Sequence, residues 1–155
     1  MIVDLTAYDD TISDRVKRGD LTFEKKDDDN VPMPHVAFMI SKLSAKDGTV
    51  LESHRAYTDG NGKLMTGNRD TVKHSTNTNA NDNVADIEDG SWTNGIWFGD
   101  APVDDTMGAL PDGIYLIQEE RCKGNEGYSL VSFVVTINAD MVAHLDYAQI
   151  GRAHV

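Results

Sequence analysis

Lys25 is the first residue whose position suggests chemistry. In the segment 20–26, alternation along a strand puts Leu21, Phe23 and Lys25 on one face. Because a face that carries Leu and Phe turns inward, the lysine amine is aimed at the core, where desolvation favours the neutral, nucleophilic form. The alternative is a lysine whose chain snorkels from the end of the strand to water.

Glu119 is the second such residue. It follows a predicted strand over 114–118, and alternation places it on the same face as Tyr115 and Ile117. Alternation alone leaves two arrangements open, since either this face or the face with Leu116 could turn inward. If Glu119 is buried, its carboxyl group favours the protonated form, which can polarise a carbonyl group and shuttle protons.

Other kinds of site find little support. Cys122 is the only cysteine, which excludes an internal disulfide and a cysteine-based metal site. The five histidines (35, 54, 74, 144 and 154) show no metal-ligand spacing, and there is no Ser/His/Asp set or phosphate loop. The sequence therefore predicts no metal, no cofactor and no turnover enzyme.

Residues 108–119, Gly-Ala-Leu-Pro-Asp-Gly-Ile-Tyr-Leu-Ile-Gln-Glu, followed by Gly127-Tyr128, resemble the signature of Cna B-type, prealbumin-like domains. These SpaA-type modules occur in adhesins and pilins of Gram-positive bacteria. The opening segment 19–27 is similar to the first strand of the family. Ile117 departs from the usual leucine, and residues 33–36 depart from the usual Leu-x-Gly-Ala tract.

The resemblance implies an all-β, prealbumin-like (Cna B-type, Ig-like) β-sandwich over residues 19–149, with a long loop insertion at 66–108. The strand patterns agree with an all-β chain. Besides the two strands above, they predict strands at 36–41, 49–58, 63–65, 128–137 and 141–148.

The resemblance also implies a self-directed reaction. In the family, the glutamate catalyses an isopeptide bond between a lysine on the first strand and an Asn or Asp on the last. Lys25 and Glu119 match the first two partners, and Asp146 is the nearest acceptor. Related modules often place the acceptor a few residues later, where this sequence reads Ile150, and Asn138 is a weaker candidate because it lies at a predicted turn.

The function implied by the resemblance is a structural stalk or adhesion module, extracellular and cell-wall-anchored in its parent protein. Its partners would be neighbouring modules of that protein and a host or matrix ligand. The net charge of −12, from 26 acidic and 14 basic residues, argues against nucleic acid and anionic membranes as partners. The sequence has no apolar run near the ~20 residues of a membrane span, so we expect no membrane insertion.

The insertion suggests an alternative function. Trp92, Trp97 and Phe98 could stack on a sugar or hold a protein, which would make the chain a glycan- or protein-binding module. The interpretation we favour is that Trp97 and Phe98 fold back and cap one end of the sandwich.

Both ends of the chain are predicted to lie outside the sandwich domain. Residues 1–18 are predicted to be a linker or the tail of a preceding module, with no signal peptide visible. Residues 150–155 match a reading frame of a common sequencing adaptor, so we expect a non-native tail on a truncated fragment. Arg18-Gly19-Asp20 spells a tripeptide that integrins bind, but it also fits the start of the first strand, which we favour.

Overall fold

The computed structural model describes residues 2–7, 17–66, 96–99, 108–138 and 144–146, with side chains for 17–66, 96–99 and 108–138. Within these ranges the chain forms nine strands and one short 3₁₀ turn, Lys123–Asn125. The strands are β1 Ile2–Ala7, β2 Arg18–Glu24, β3 Ala37–Leu43, β4 Val50–Tyr57, β5 Lys63–Met65, β6 Leu110–Pro111, β7 Gly113–Glu119, β8 Ser132–Ile137 and β9 His144–Asp146. No helix in these ranges is long and apolar enough to cross a membrane.

The strands form two antiparallel sheets. One has the order β1-β2-β5, with β6 also paired to β2, and the other has the order β4-β3-β7-β8-β9. Phe23 of the first sheet makes edge-to-face contacts with Phe38 and Phe133 of the second, at centroid distances of 4.9 and 5.3 Å. The protein is therefore all-β, and its two layers have the arrangement of a β-sandwich.

Alternation along the strands builds the core between the sheets. Burial alternates along β8 and along β7 from Tyr115 to Glu119, whereas β2 is buried over six consecutive residues. The apolar interior includes Leu21, Phe23, Phe38, Ile40, Tyr115, Ile117, Phe133 and Val135. The intervening residues of β7 and β8 are mostly half-buried. This pattern settles the choice that the sequence left open, because Tyr115 and Ile117 turn inward and carry Glu119 with them.

The predicted strands agree with the observed ones within a few residues, apart from the N-terminal region. The sequence places residues 1–18 in a tail, yet Ile2–Ala7 forms a full strand with six residues in register with β2. Arg18 already belongs to β2. Residues 2–7 and Arg18 therefore take part in the first sheet.

A close approach between two backbones leads to the first testable prediction. A Cβ atom at Gly108 would lie 2.4 Å from the carbonyl oxygen of Gly19. Gly108→Ala should therefore lower the free energy of unfolding by about 1–3 kcal/mol, because the backbone must move. Gly60→Ala is the control, since no atom lies within 4 Å of a Cβ there. Equal midpoints for the two variants in urea unfolding would contradict the contact.

The phenol of Tyr115 leads to the second prediction. It donates a hydrogen bond of 2.5 Å to the carbonyl oxygen of Pro111, and burial raises the pKa of Tyr115 well above its ordinary value. The unfolded chain releases this proton near pH 10 and the folded chain retains it, so stability is complete below about pH 10 and falls above it.

The measurement is urea unfolding of the wild type and of Tyr115→Phe from pH 8 to pH 11. The variant should lose about 1 kcal/mol at pH 8 with the hydrogen bond. Above pH 10 the free energy of unfolding of the variant should fall less steeply than that of the wild type. The two slopes should differ by up to about 1.4 kcal/mol per pH unit. Parallel curves for the two proteins would show that the phenol of Tyr115 ionises as readily in the folded state as in the unfolded state.

Candidate functional site

Lys25 and Glu119 meet inside the sandwich. The Lys25 Nζ atom lies 3.0 Å from Oε1 of Glu119, and the two side chains are 2% and 0% exposed. Lys25 directly follows β2 in one sheet, and Glu119 ends β7 in the other. The alternative of a lysine that snorkels to water is therefore wrong, and the pair connects the two sheets.

The backbone of Lys25 is fixed by a tight turn. Its N–H donates to the carbonyl oxygen of Gly62 (2.7 Å), and its own carbonyl accepts from the N–H of Met33 (2.8 Å). Gly62 has φ of +76°, and a Cβ there would lie 2.8 Å from the Lys25 carbonyl oxygen. Only glycine allows this conformation and this approach without strain. The turn 59–62 therefore holds the lysine in place.

Three donors converge on the carboxyl group of Glu119. Oε1 accepts from Lys25 and from the backbone N–H of Val131 (3.0 Å), and Oε2 accepts from Nδ2 of Asn125 (2.9 Å). A buried carboxyl group is costly unless such partners satisfy it. Glu120, the next residue, turns outward and pairs with Arg55 (Nε to Oε1 2.5 Å), as alternation along the chain requires.

Asn125 is the member of this site that the sequence analysis missed. It is fully buried on the 3₁₀ turn, and its Nδ2 also donates to the carbonyl oxygen of Glu120 (2.8 Å). Its Oδ1 accepts from the backbone N–H of Cys122 (2.9 Å) and lies 3.4 Å from Nη1 of Arg121. The segment 121–126 has no regular period, so no pattern signals that its one asparagine turns inward.

Neither acceptor candidate from the sequence, Asp146 or Asn138, lies in register with Glu119. The backbone of Asp146 is in register with Val134, which pairs with Leu116, and both of these are half-buried. Glu119 instead continues the buried row of β7. Asn138 directly follows β8 at the end that pairs with Gly113, roughly 20 Å along β7 from Glu119 at ~3.3 Å per residue. Residue 150 lies outside the described residues.

Two of the three aromatic residues predicted to bind a ligand, Trp97 and Phe98, lie in the part of the chain that the structure describes. Trp97 and Phe98 are 1% and 0% exposed, so they fill the core, as the capping interpretation expects, and offer no surface for a ligand. Trp92 lies outside the described residues. The ring of Phe98 packs edge-to-face on His54 and Tyr115, at centroid distances of 4.5 and 5.3 Å.

Polar contacts hold the same segment. The guanidinium carbon of Arg18 lies 4.0 Å from the ring centroid of Trp97, a cation–π contact, and the N–H of Gly99 lies 3.1 Å from each carboxylate oxygen of Glu52. Glu52 also contacts Nε2 of His54 at 2.5 Å. Arg18 is itself buried, which supports the strand interpretation of the integrin-like tripeptide.

Asp20 connects the two ends of the insertion. Its Oδ1 accepts from the hydroxyl group of Thr66 (2.9 Å) and from the backbone N–H of Ala109 (3.0 Å). The N–H of Leu21 in turn donates to the Thr66 hydroxyl oxygen at 2.8 Å. One buried carboxylate therefore holds the residues before and after the insertion against β2.

Comparisons of the chain with protein-family models, with curated proteins and with solved structures found no match.

The third prediction concerns the buried pair. Lys25→Met leaves the Glu119 carboxyl group buried without its cation and should lower the free energy of unfolding by about 3–5 kcal/mol from the lost pairing alone. Lys26→Met is the matched control. It removes a half-exposed pair with Glu24 (3.4 Å) and should cost less than about 1 kcal/mol.

A double variant separates lost charge pairing from lost packing. Lys25→Met/Glu119→Gln removes both charges and leaves an amide oxygen for the N–H of Val131. In urea unfolding it should be more stable than Lys25→Met alone, because no unpaired charge remains. A double variant that is less stable than Lys25→Met would show that the carboxylate needs no cation in this site.

Proposed function

We propose that this chain is a structural stalk or adhesion module of a bacterial cell-surface protein. In this proposal its sandwich is of the prealbumin-like, Cna B-type, and an internal isopeptide bond formed by Lys25 stabilises it. Glu119 is the catalytic residue of that single-turnover reaction. The observation that carries the proposal is the contact of 3.0 Å between the Lys25 amine and the Glu119 carboxyl group in an apolar interior.

The chemistry of the pair supports this role. Amide formation needs a neutral amine, and a group that can take up the proton of the amine and return it to the leaving group. In a buried Lys–Glu pair a proton can pass between the two groups without crossing water. The surroundings, which include Phe23 and Phe38, exclude the water that would compete for the acceptor.

The need of a surface module to resist unfolding under force also supports this role. A surface module of this size with one cysteine has no internal disulfide to resist unfolding. A covalent bond from the end of β2 to the other sheet would replace that staple. The partners in this proposal are neighbouring modules of the same protein and a host or matrix ligand. The alternative of a glycan- or protein-binding insertion gains no support from Trp97 and Phe98, which are buried.

The fourth prediction is tested by single-molecule stretching of the chain held at both ends. A bond from Lys25 to any acceptor beyond Glu119 hides more than 90 residues from the pulling force. At ~3.6 Å per residue, the fully stretched wild type should be more than about 300 Å shorter than Lys25→Arg.

Lys26→Arg is the control and should stretch like the wild type, because its side chain lies outside the buried pair. Glu119→Ala should stretch like Lys25→Arg, since the amine then lacks its proton acceptor. Equal final lengths for the wild type and Lys25→Arg would reject the crosslinked stalk.

A further inference from the structure

Asn61 lies on the exposed turn 59–62, directly before the glycine that contacts the backbone of Lys25. We propose that Asn61 is a modification site, at which its side chain closes on the backbone nitrogen of Gly62 and the residue becomes isoaspartate. The folded turn slows this reaction, and the modified turn no longer supports Lys25. The inference goes beyond the proposed function and does not depend on an isopeptide bond, because it uses only the turn and its contacts.

The first support is the identity of the residue after Asn61. The backbone nitrogen of the next residue can attack an asparagine carboxamide, because covalent structure places the two within a five-membered ring. A side chain on that next residue hinders the attack, and glycine has none. Position 62 has to be glycine, since its φ is +76° and a Cβ there would lie 2.8 Å from the Lys25 carbonyl oxygen. The fold therefore requires the neighbour that leaves Asn61 most open to attack.

The second support is the hydrogen bonding that restrains the attacking nitrogen. The N–H of Gly62 donates to the carbonyl oxygen of Asp59 at 3.0 Å. Oδ1 of Asp59 accepts from the N–H of Asn61 (2.8 Å) and from the N–H of Lys63 (3.0 Å). The nitrogen of Gly62 must lose its proton to react, and it then loses its bond to Asp59. The reaction therefore requires the turn to open, which the folded state opposes.

The third support is the contact between the turn and the buried pair. The carbonyl oxygen of Gly62 accepts from the N–H of Lys25 at 2.7 Å, and the Lys25 amine lies 3.0 Å from Glu119. Isoaspartate passes the main chain through the side chain of residue 61, so the backbone before Gly62 becomes one atom longer. This displaces the Gly62 carbonyl group. A change on the surface thereby reaches the backbone of a buried lysine.

The reaction balances as follows. The Gly62 nitrogen gives its proton to solvent and bonds to Cγ of Asn61. The Cγ–Nδ2 bond breaks, and Nδ2 takes a proton from solvent and leaves as ammonia. One water then opens the cyclic imide. Opening at Cγ gives aspartate with a normal backbone, and opening at the main-chain carbonyl carbon gives isoaspartate.

The fifth prediction compares the folded chain in buffer with the chain unfolded in guanidinium chloride, both kept at pH 8. Trypsin releases residues 56–63, in which Asn61 is the only asparagine. Loss of ammonia and uptake of water make this peptide about 1 Da heavier. In the folded chain the gain should be at least about tenfold slower, because opening the turn breaks two or more hydrogen bonds.

The chain supplies an internal control for the chemistry. Asn30 is also exposed at a turn, but the residue after it is Val31, whose branched side chain hinders the attack. Residues 27–42 form a tryptic peptide with Asn30 as its only asparagine. In guanidinium chloride this peptide should gain mass much more slowly than residues 56–63.

A pair of variants tests whether the turn controls the rate. Asp59→Ala removes the side-chain acceptor of two turn N–H groups and should accelerate the mass gain of the folded chain by about fivefold. Asp47→Ala is the matched control, since it removes the corresponding contacts with Thr49 from another exposed turn. It should modify Asn61 at the wild-type rate. Circular dichroism checks that both variants are folded.

Urea unfolding tests the effect on Lys25. Chain modified in guanidinium chloride is refolded, and its isoaspartate fraction is separated by chromatography. This fraction should unfold at a lower urea concentration than Asn61→Asp, which carries the same added charge on a normal backbone.

Each part of the inference has an outcome that overturns it. No mass gain in either state would remove the site, and equal rates in the folded and unfolded chain would show that the turn gives no protection. Equal urea midpoints for the isoaspartate fraction and Asn61→Asp would show that the modification does not reach Lys25. None of these readouts depends on a crosslink, so the stretching experiment tests the proposed function separately.

Discussion

A single ion pair between two sheets constrains much of this structure. Lys25 and Glu119 lie in surroundings where neither charge would be tolerated alone, so each fixes where the other must be. The turn at Gly62 then has to hold the lysine backbone, and the N–H of Val131 has to reach the carboxyl group. The contact therefore determines how the end of one sheet is positioned on the other.

The inward direction of Lys25 could be predicted because Leu21, Phe23 and Lys25 alternate with polar residues in the sequence. Glu119 could not be placed this way. Both faces of β7 carry apolar residues, and periodicity cannot show which face a second sheet covers. The family resemblance favoured the row that contains Glu119, and in the structure Tyr115 and Ile117 of that row are buried.

The parts that the sequence did not predict depend on contacts between distant residues or on irregular backbone. β1 gains its order from six pairings with β2, and its own sequence gives little sign of them. Asn125 is turned inward by a short 3₁₀ turn whose geometry has no sequence period. The burial of Trp97 depends in part on Arg18, a residue that the sequence analysis assigned to a tail.

The carboxylate of Asp20 has a consequence for how the insertion can vary. Because it binds Thr66 and Ala109 at once, the two ends of the intervening segment are already held together by the sandwich. The entropy of closing such a loop grows only slowly with its length, by about 0.6 kcal/mol for each doubling. Evolution or design could therefore exchange the residues between Thr66 and the buried stretch at Ile96 for segments of other lengths without changing the sandwich.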